Sequence, residues 1–200
     1  ENIMGFCGYR LWCLSGGDID DACKAIARAD VDGIFIARSR GFEGDDVNCL
    51  AGVTGLRILV ISDAAGVDIS GVSDLEGLEF LSVSEASGEL RFDKLTRIRH
   101  LRIKLGDGIE LPSHGLDELR QLAIWNSRAA DLSFLSGFPS LETLEISDAK
   151  KLTSVTGIEH FTTLVELSLM YCPKLHDIGG IGVLTKLRKL ELVNVKKITD

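Results

Sequence analysis

The sequence predicts an α/β solenoid of about nine coils, with a curved parallel sheet on its concave side and short 3₁₀ or α-helical returns on its convex side. Three observations predict it. First, Leu141-Glu142-Thr143-Leu144-Glu145-Ile146 places apolar residues at positions one, four and six, and this pattern recurs from starts at 31, 56, 78, 98, 119, 141, 164 and 187. These starts lie 25, 22, 20, 21, 22, 23 and 23 residues apart, so each copy is one small unit that buries its apolar face only against its neighbours. Second, a separate pattern precedes most copies: Asp46, Asp68, Asp131, Ser154 or Asp177 stands ten residues before the next start, with apolar residues following at threefold spacing. Third, Ile19, Ala22, Cys23 and Ile26 fall at i, i+3, i+4 and i+7, one face of an α-helix.

The first element is a strand over Tyr9 to Leu14. Leu11 and Cys13 stand 23 residues before Ile34 and Ile36, which predicts a degenerate first copy with these two side chains inward and Arg10 and Trp12 outward. A helix follows from about Asp18 to Ala29, with Asp18 as its cap, Asp20 and Asp21 in its first turn, and Lys24 and Arg28 late, as the helix dipole favours. Strand and helix together form an expected N-terminal cap over residues 1–30, and the repeats fill 31–200 of one continuous domain. In each later copy the alternation turns residues such as Leu59 and Ile61 inward and Val60 and Ser62 outward. The returns carry further apolar residues six and three positions before the next start, as at Leu135 and Phe138, which suits short 3₁₀ pieces. The copies starting at Leu78 and Ile98 are shortened and lack the aspartate. Ile198-Thr199-Asp200 aligns with Leu175-His176-Asp177, in mid-repeat, so further repeats or a cap are expected beyond it.

The L-x-x-L-x-L core beside a D-[IVL]-x-x-[LVI]-x-x-[LF] return, from residue 31 to 200, resembles the short, roughly 22-residue class of leucine-rich repeats found in bacterial internalins and related intracellular regulators. The sequence departs from that class at the position often held by a buried Asn, which is Ala64, Ala86, Ser127, Ala149 and Cys172 here. The resemblance implies that a protein partner binds on the concave face. The outward strand positions supply the candidate residues: Phe80, the basic row His100, Arg102 and Lys104, then Trp125, Glu145, Glu166 and Met170. Trp and Arg are common energetic anchors of interfaces, and a cationic row beside an acidic pair gives a partner a definite register. In the plainer reading, these opposite charges pair with one another across the sheet. The outward positions nearer the N-terminus are more apolar (Trp12, Phe35, Ile58, Val60, Phe80), either a second patch or a surface covered by another segment.

Composition narrows the function. With 45% apolar and 26% charged residues the chain is globular, and its net charge of −8 disfavours a general nucleic-acid binder. No apolar run reaches the ~20 residues of a membrane span. The five cysteines are odd in number and include no C-x-x-C pair, so neither a zinc site nor a closed disulfide set is indicated. A Cys7–Cys13 bridge is the alternative to buried thiols, which place the chain in a reducing, cytoplasmic compartment. His114, His160 and His176 stand alone in turns, and Gly179-Gly180-Ile181-Gly182 lacks the lysine of a phosphate loop. The repeated aspartates occur once per coil and read as caps of the returns, not as calcium ligands. The expectation is a non-catalytic, protein-binding monomer without cofactor or metal. The alternatives are the recognition part of a larger enzyme or effector, such as a ligase, and a scaffold that self-associates through its C-terminal end.

Overall fold

The structure is a computed structural model that describes residues 3–15, 19–106 and 109–195. The chain divides into two compact units. The first runs to Ile98 and includes a short later segment ending at Glu110; the second comprises Arg99–Gly106 and the residues from Leu111 onward. The division falls within the two shortened repeats. The Asp18 cap and the mid-repeat ending at Ile198-Thr199-Asp200 lie outside the described residues.

The first unit opens with a hairpin that the repeat pattern does not contain. Strand β1 (Ile3–Phe6) pairs antiparallel with β2 (Tyr9–Leu14), from Ile3↔Trp12 to Phe6↔Tyr9. The two-residue loop between them, Cys7-Gly8, has φ of 49° and 86°. Positive φ at both positions is the turn that matches strand twist, and glycine takes it without a Cβ clash. Helix α1 (Ile19–Ala27) follows, with Ala22 and Ala25 buried and Asp20 and Asp21 in its first turn. Strands β3 (Gly33–Ile36), β4 (Ile58–Ile61) and β5 (Phe80–Val83) then add to β2 in parallel and in chain order.

The register of β2 differs from the expectation by one residue. Leu11 stands beside Gly33, Trp12 beside Ile34, Cys13 beside Phe35 and Leu14 beside Ile36. Trp12 and Leu14 therefore share the inward row, and Leu11 and Cys13 point outward. A slip of one residue exchanges the two faces of a strand. Leu11 to Leu14 is an unbroken apolar run, so its pattern does not choose a face. The choice follows from the outward side, where Leu11 and Cys13 join a buried cluster with Phe35, Ile58, Val60 and Phe80.

The second unit holds β6 (His100–Lys104), β7 (Gln121–Trp125), β8 (Thr143–Ser147), β9 (Glu166–Met170) and β10 (Lys189–Val193), all parallel and in chain order. Its inward rows, such as Leu122, Ile124, Leu144, Ile146, Leu167 and Leu169, are fully buried, and Phe138 and Phe161 close the core from the return side. Burial of each such side chain is worth about 1.5–3 kcal/mol. At β10 the inward leucines Leu190 and Leu192 are 44% and 36% exposed.

The returns carry 3₁₀ turns at Asn48–Gly52 and Ser70–Asp74 in the first unit, and at Ser133–Leu135, Ile158–His160 and Gly179–Val183 in the second. The residue ten before five of the repeat starts makes a local turn bond at the entry to the return. Asp46, Asp68, Asp131 and Asp177 each accept the backbone N–H two residues on, at 2.8, 2.8, 3.0 and 3.0 Å, and Ser154 does so at 3.3 Å. This local bond is what short Asp and Ser side chains offer a turn. The amide and hydroxyl of Ser70 both donate to Asp68 and hold its carboxyl below the usual range. The returns after β5 and β6, which lack the aspartate, form no 3₁₀ turn among the described residues.

At the coil position where a buried Asn is common, Ala64, Ala86, Ser127, Ala149 and Cys172 are all buried. No disulfide joins the five cysteines; Cys13 and Cys172 are buried, with burial raising the pKa of the Cys172 thiol, but Cys7, in the hairpin turn, and Cys49, on a return, are exposed rather than buried.

Candidate functional site

The outward face of the sheet in the second unit is a grid of three rows. His100, Gln121, Thr143, Glu166 and Lys189 align in the first; Arg102, Ala123, Glu145, Ser168 and Glu191 in the second; Lys104, Trp125, Ser147, Met170 and Val193 in the third. Seven of the eight candidate residues read from the sequence are thus brought onto one face. The Arg102 guanidinium lies over the Trp125 ring, 5.2 Å from its centroid. Between Arg102 and Glu145 the row holds only Ala123, which is small and buried. At the other end Ser168 Oγ donates to Glu191 at 3.1 Å, and Lys189 Nζ lies 3.4 Å from the same carboxylate. Between them is a depression of about 140 Å³, bordered by Glu145, Glu166, Ser168, Met170 and Glu191.

The eighth candidate, Phe80, lies in the first unit and is only 5% exposed. Phe6 and Tyr9 pack edge-on against its ring, at 6.3 and 5.7 Å between centroids. The hairpin β1–β2 covers the outward positions Phe35, Ile58, Val60 and Phe80, with Met4 alongside. The apolar patch expected near the N-terminus is therefore a second core, sealed by the chain's own hairpin, and Phe80 is withdrawn from the site.

Solved structures with similar folds include internalin C2 of Listeria monocytogenes, at 21% identity and a TM-score of 0.63, over 81% of this chain and 69% of that one. Internalin F of the same organism matches at 20% identity and 0.63, over 88% of this chain and 52% of that one. TLR13, in a TLR13–ssRNA13 complex, matches at 17% and 0.63, over 90% of this chain and 31% of that one. No family model matches the sequence, and no characterised protein does so at the level of sequence. The fold is a leucine-rich repeat.

On this leucine-rich-repeat sheet the charged rows show no cross-strand ion pair among the described residues. Arg102, Lys104, Glu145 and Glu166 take part in none of the ion pairs among the described residues. The residues that do pair lie just before the strands: Arg57 and Arg97 meet Glu79 at 2.8 and 3.3 Å, and Arg99 meets Glu118 at 2.9 Å. The separation follows from register, because two strand steps divide Arg102 from Glu145 and three divide it from Glu166. His100 differs from the other two members of its row. Burial, and secondarily the charge of Arg99, hold its imidazole below the ordinary 6.5, so it is neutral at pH 7. Among the described residues, the cations of this face outside any ion pair are Arg102 and Lys104, while Lys189 is paired with Glu191.

His114, His160 and His176 are exposed on the returns, away from this grid, and His176 Nδ1 sits 2.9 Å from the carbonyl oxygen of Lys174. Sequence reasoning missed the parts played by Ala123, Ser168, Lys189 and Glu191. Their outward positions were readable. Which of the acidic residues Lys189 would neutralise depends on side-chain geometry.

Proposed function

We propose that the chain is a non-catalytic protein-binding module that receives its partner on the outward face of β6 to β9, the side expected to be concave. The observation that carries this reading is the combination of a stacked Arg102–Trp125 pair with Lys104, Glu145 and Glu166 on the same face, which take part in no ion pair among the described residues. An Arg held by an indole keeps its hydrogen-bonding edge available, and Trp and Arg dominate binding energies where they are covered on association. The face mixes two open cations with two open carboxylates, so a polyanion would meet repulsion at Glu145 and Glu166. A protein surface, with both signs of charge, fits better. That mixture, rather than net charge alone, argues against nucleic acid as the ligand.

The test is an affinity capture from source-cell extract with the parent chain and its Trp125→Ala and Arg102→Glu variants, each first shown to be folded by circular dichroism. A partner retained by the parent and lost by both variants supports the reading. If both variants retain the same partners, the face is wrongly assigned.

A second reading is favoured by one observation. Val183 (55% exposed), Leu190 and Leu192 leave apolar surface open at β10. Self-association there predicts a mass that rises with concentration and a return to monomer in Leu190→Lys. The number and spacing of the cysteines support a reducing, cytoplasmic setting.

A further inference from the structure

Resting on the binding reading above, we infer that the partner presents an extended segment carrying one acidic and one basic side chain, three or four residues apart, laid across the strands from β6 to β9. The argument starts from the register. Arg102 of β6, Glu145 of β8 and Glu166 of β9 stand on one face of a continuous parallel sheet. Neighbouring strands are roughly 4.8 Å apart, so the backbone positions of Arg102 and Glu145 are separated by about 10 Å, and Glu166, three strands and one row away, lies about 16 Å from Arg102. An extended segment crossing the sheet matches the first distance along its backbone and spans the second with the reach of a long basic side chain. In a polyproline-type segment, residues i and i+3 face the same way about 9 Å apart. In a β-type segment, residues i and i+4 do so about 13 Å apart.

The cationic end of the grid is built to hold a carboxylate. The Arg102 guanidinium is stacked on Trp125 at 5.2 Å and meets no carboxylate among the described residues. A planar guanidinium fixed in this way can offer two parallel N–H donors to a carboxylate. Lys104 stands one row away on the same strand and adds to the positive field. His100 adds nothing at pH 7, because it is neutral.

The acidic end has the opposite character. Glu145 and Glu166 border the depression of about 140 Å³, which Lys189 also lines, and neither takes part in an ion pair among the described residues. Glu191, on the far side, is already met by Ser168 and Lys189. A basic side chain entering from above therefore meets Glu145 and Glu166, and Met170 offers an apolar wall for its methylene stem. Between the two ends lies Ala123, whose small side chain lets a peptide backbone come close. Two unlike, unpaired charges at a fixed separation specify both the composition and the direction of what crosses them.

The test is selection of a random dodecapeptide display library on the full chain, with counter-selection on the charge-exchanged variant Arg102→Glu/Glu166→Lys. The expected result is enrichment of peptides with an acidic and a basic residue three or four positions apart in one consistent order. Synthetic copies should bind the parent at least tenfold more tightly than versions with the two residues exchanged, and the double variant should reverse that preference. Enriched peptides that lack the pair but lose binding to Trp125→Ala would overturn this inference and leave the binding reading standing. Peptides indifferent to Trp125→Ala and to the charge exchange, or no enrichment at all, would overturn both.

Discussion

At one repeat position the first unit has Val60, which is 1% exposed, and the second has Glu145, which borders an open depression. One row over, Phe80 is packed beneath Phe6 and Tyr9, whereas Gln121 is exposed. The inward halves of the two units are built alike, from the same spacing of Leu, Ile and Val. Their outward halves differ because a parallel sheet with an apolar outer face needs a cover, and one with a polar outer face does not. In the first unit the β1–β2 hairpin supplies that cover. In the second unit, charge and hydroxyl groups let the strands face solvent, and that surface is available to a partner.

The largest test of this contrast is a pair of truncations. Phe80→Ala removes a ring from a sealed cluster and should lower stability by about 3–5 kcal/mol in urea unfolding. Trp125→Ala removes a ring from the open face and should cost about 0.5–1 kcal/mol, the value of an exposed cation–π contact. Equal losses would break the comparison. A second pair uses crowding. A Cβ on Gly33 would collide with the backbone carbonyl and Cβ of Ile58, so Gly33→Val should cost about 1–3 kcal/mol. Gln121→Val, at the same repeat position on the open sheet, should stay within about 0.5 kcal/mol of the parent.

Smaller effects sharpen the picture. Glu79, gripped by Arg57 and Arg97, raises the Arg57 pKa, and Glu79→Gln should cost up to about 1 kcal/mol, more than Glu118→Gln, which breaks one more exposed pair. The slightest effect concerns pH. His100 has a folded-state pKa below the unfolded one, so the unfolded chain takes up its proton first. Stability should then fall as pH drops from 6.5 through the folded value. Asp68, held below its ordinary 3.8, contributes stability above that pH and loses it as pH falls through its lower folded value. Unfolding midpoints of His100→Gln and Asp68→Asn, followed from pH 7 down to about 2, should show each dependence flattened in its own window.

Much of this was readable from the chain because each repeat states its own boundaries. Leu141, Leu144 and Ile146 give the strand and its inward face, and Asp46, Asp68, Asp131 and Asp177 mark where each return begins, through a bond made two residues away. The first strand was readable and its face was not, since Leu11, Trp12, Cys13 and Leu14 are apolar on both sides. The hairpin was missed for a related reason. Ile-Met-Gly-Phe has no polar alternation, and its role appears only when Phe6 and Tyr9 meet Phe80, more than seventy residues on. In the site, the outward positions of Arg102, Trp125, Glu145 and Glu166 followed from the repeat. The stacking of Arg102 on Trp125 and the neutralisation of Glu191 by Lys189 did not, because repeat period says nothing about how neighbouring side chains share their charges.

The most direct measurement of the contrast is hydroxyl-radical footprinting of the intact chain, read residue by residue by mass spectrometry. The covered first face and open second face predict rapid modification of Trp125 and Met170, with Phe35 and Phe80 protected until the chain unfolds. Modification of Phe35 and Phe80 in the folded chain at rates comparable to Trp125 would contradict it, because the hairpin would then not be closing that face.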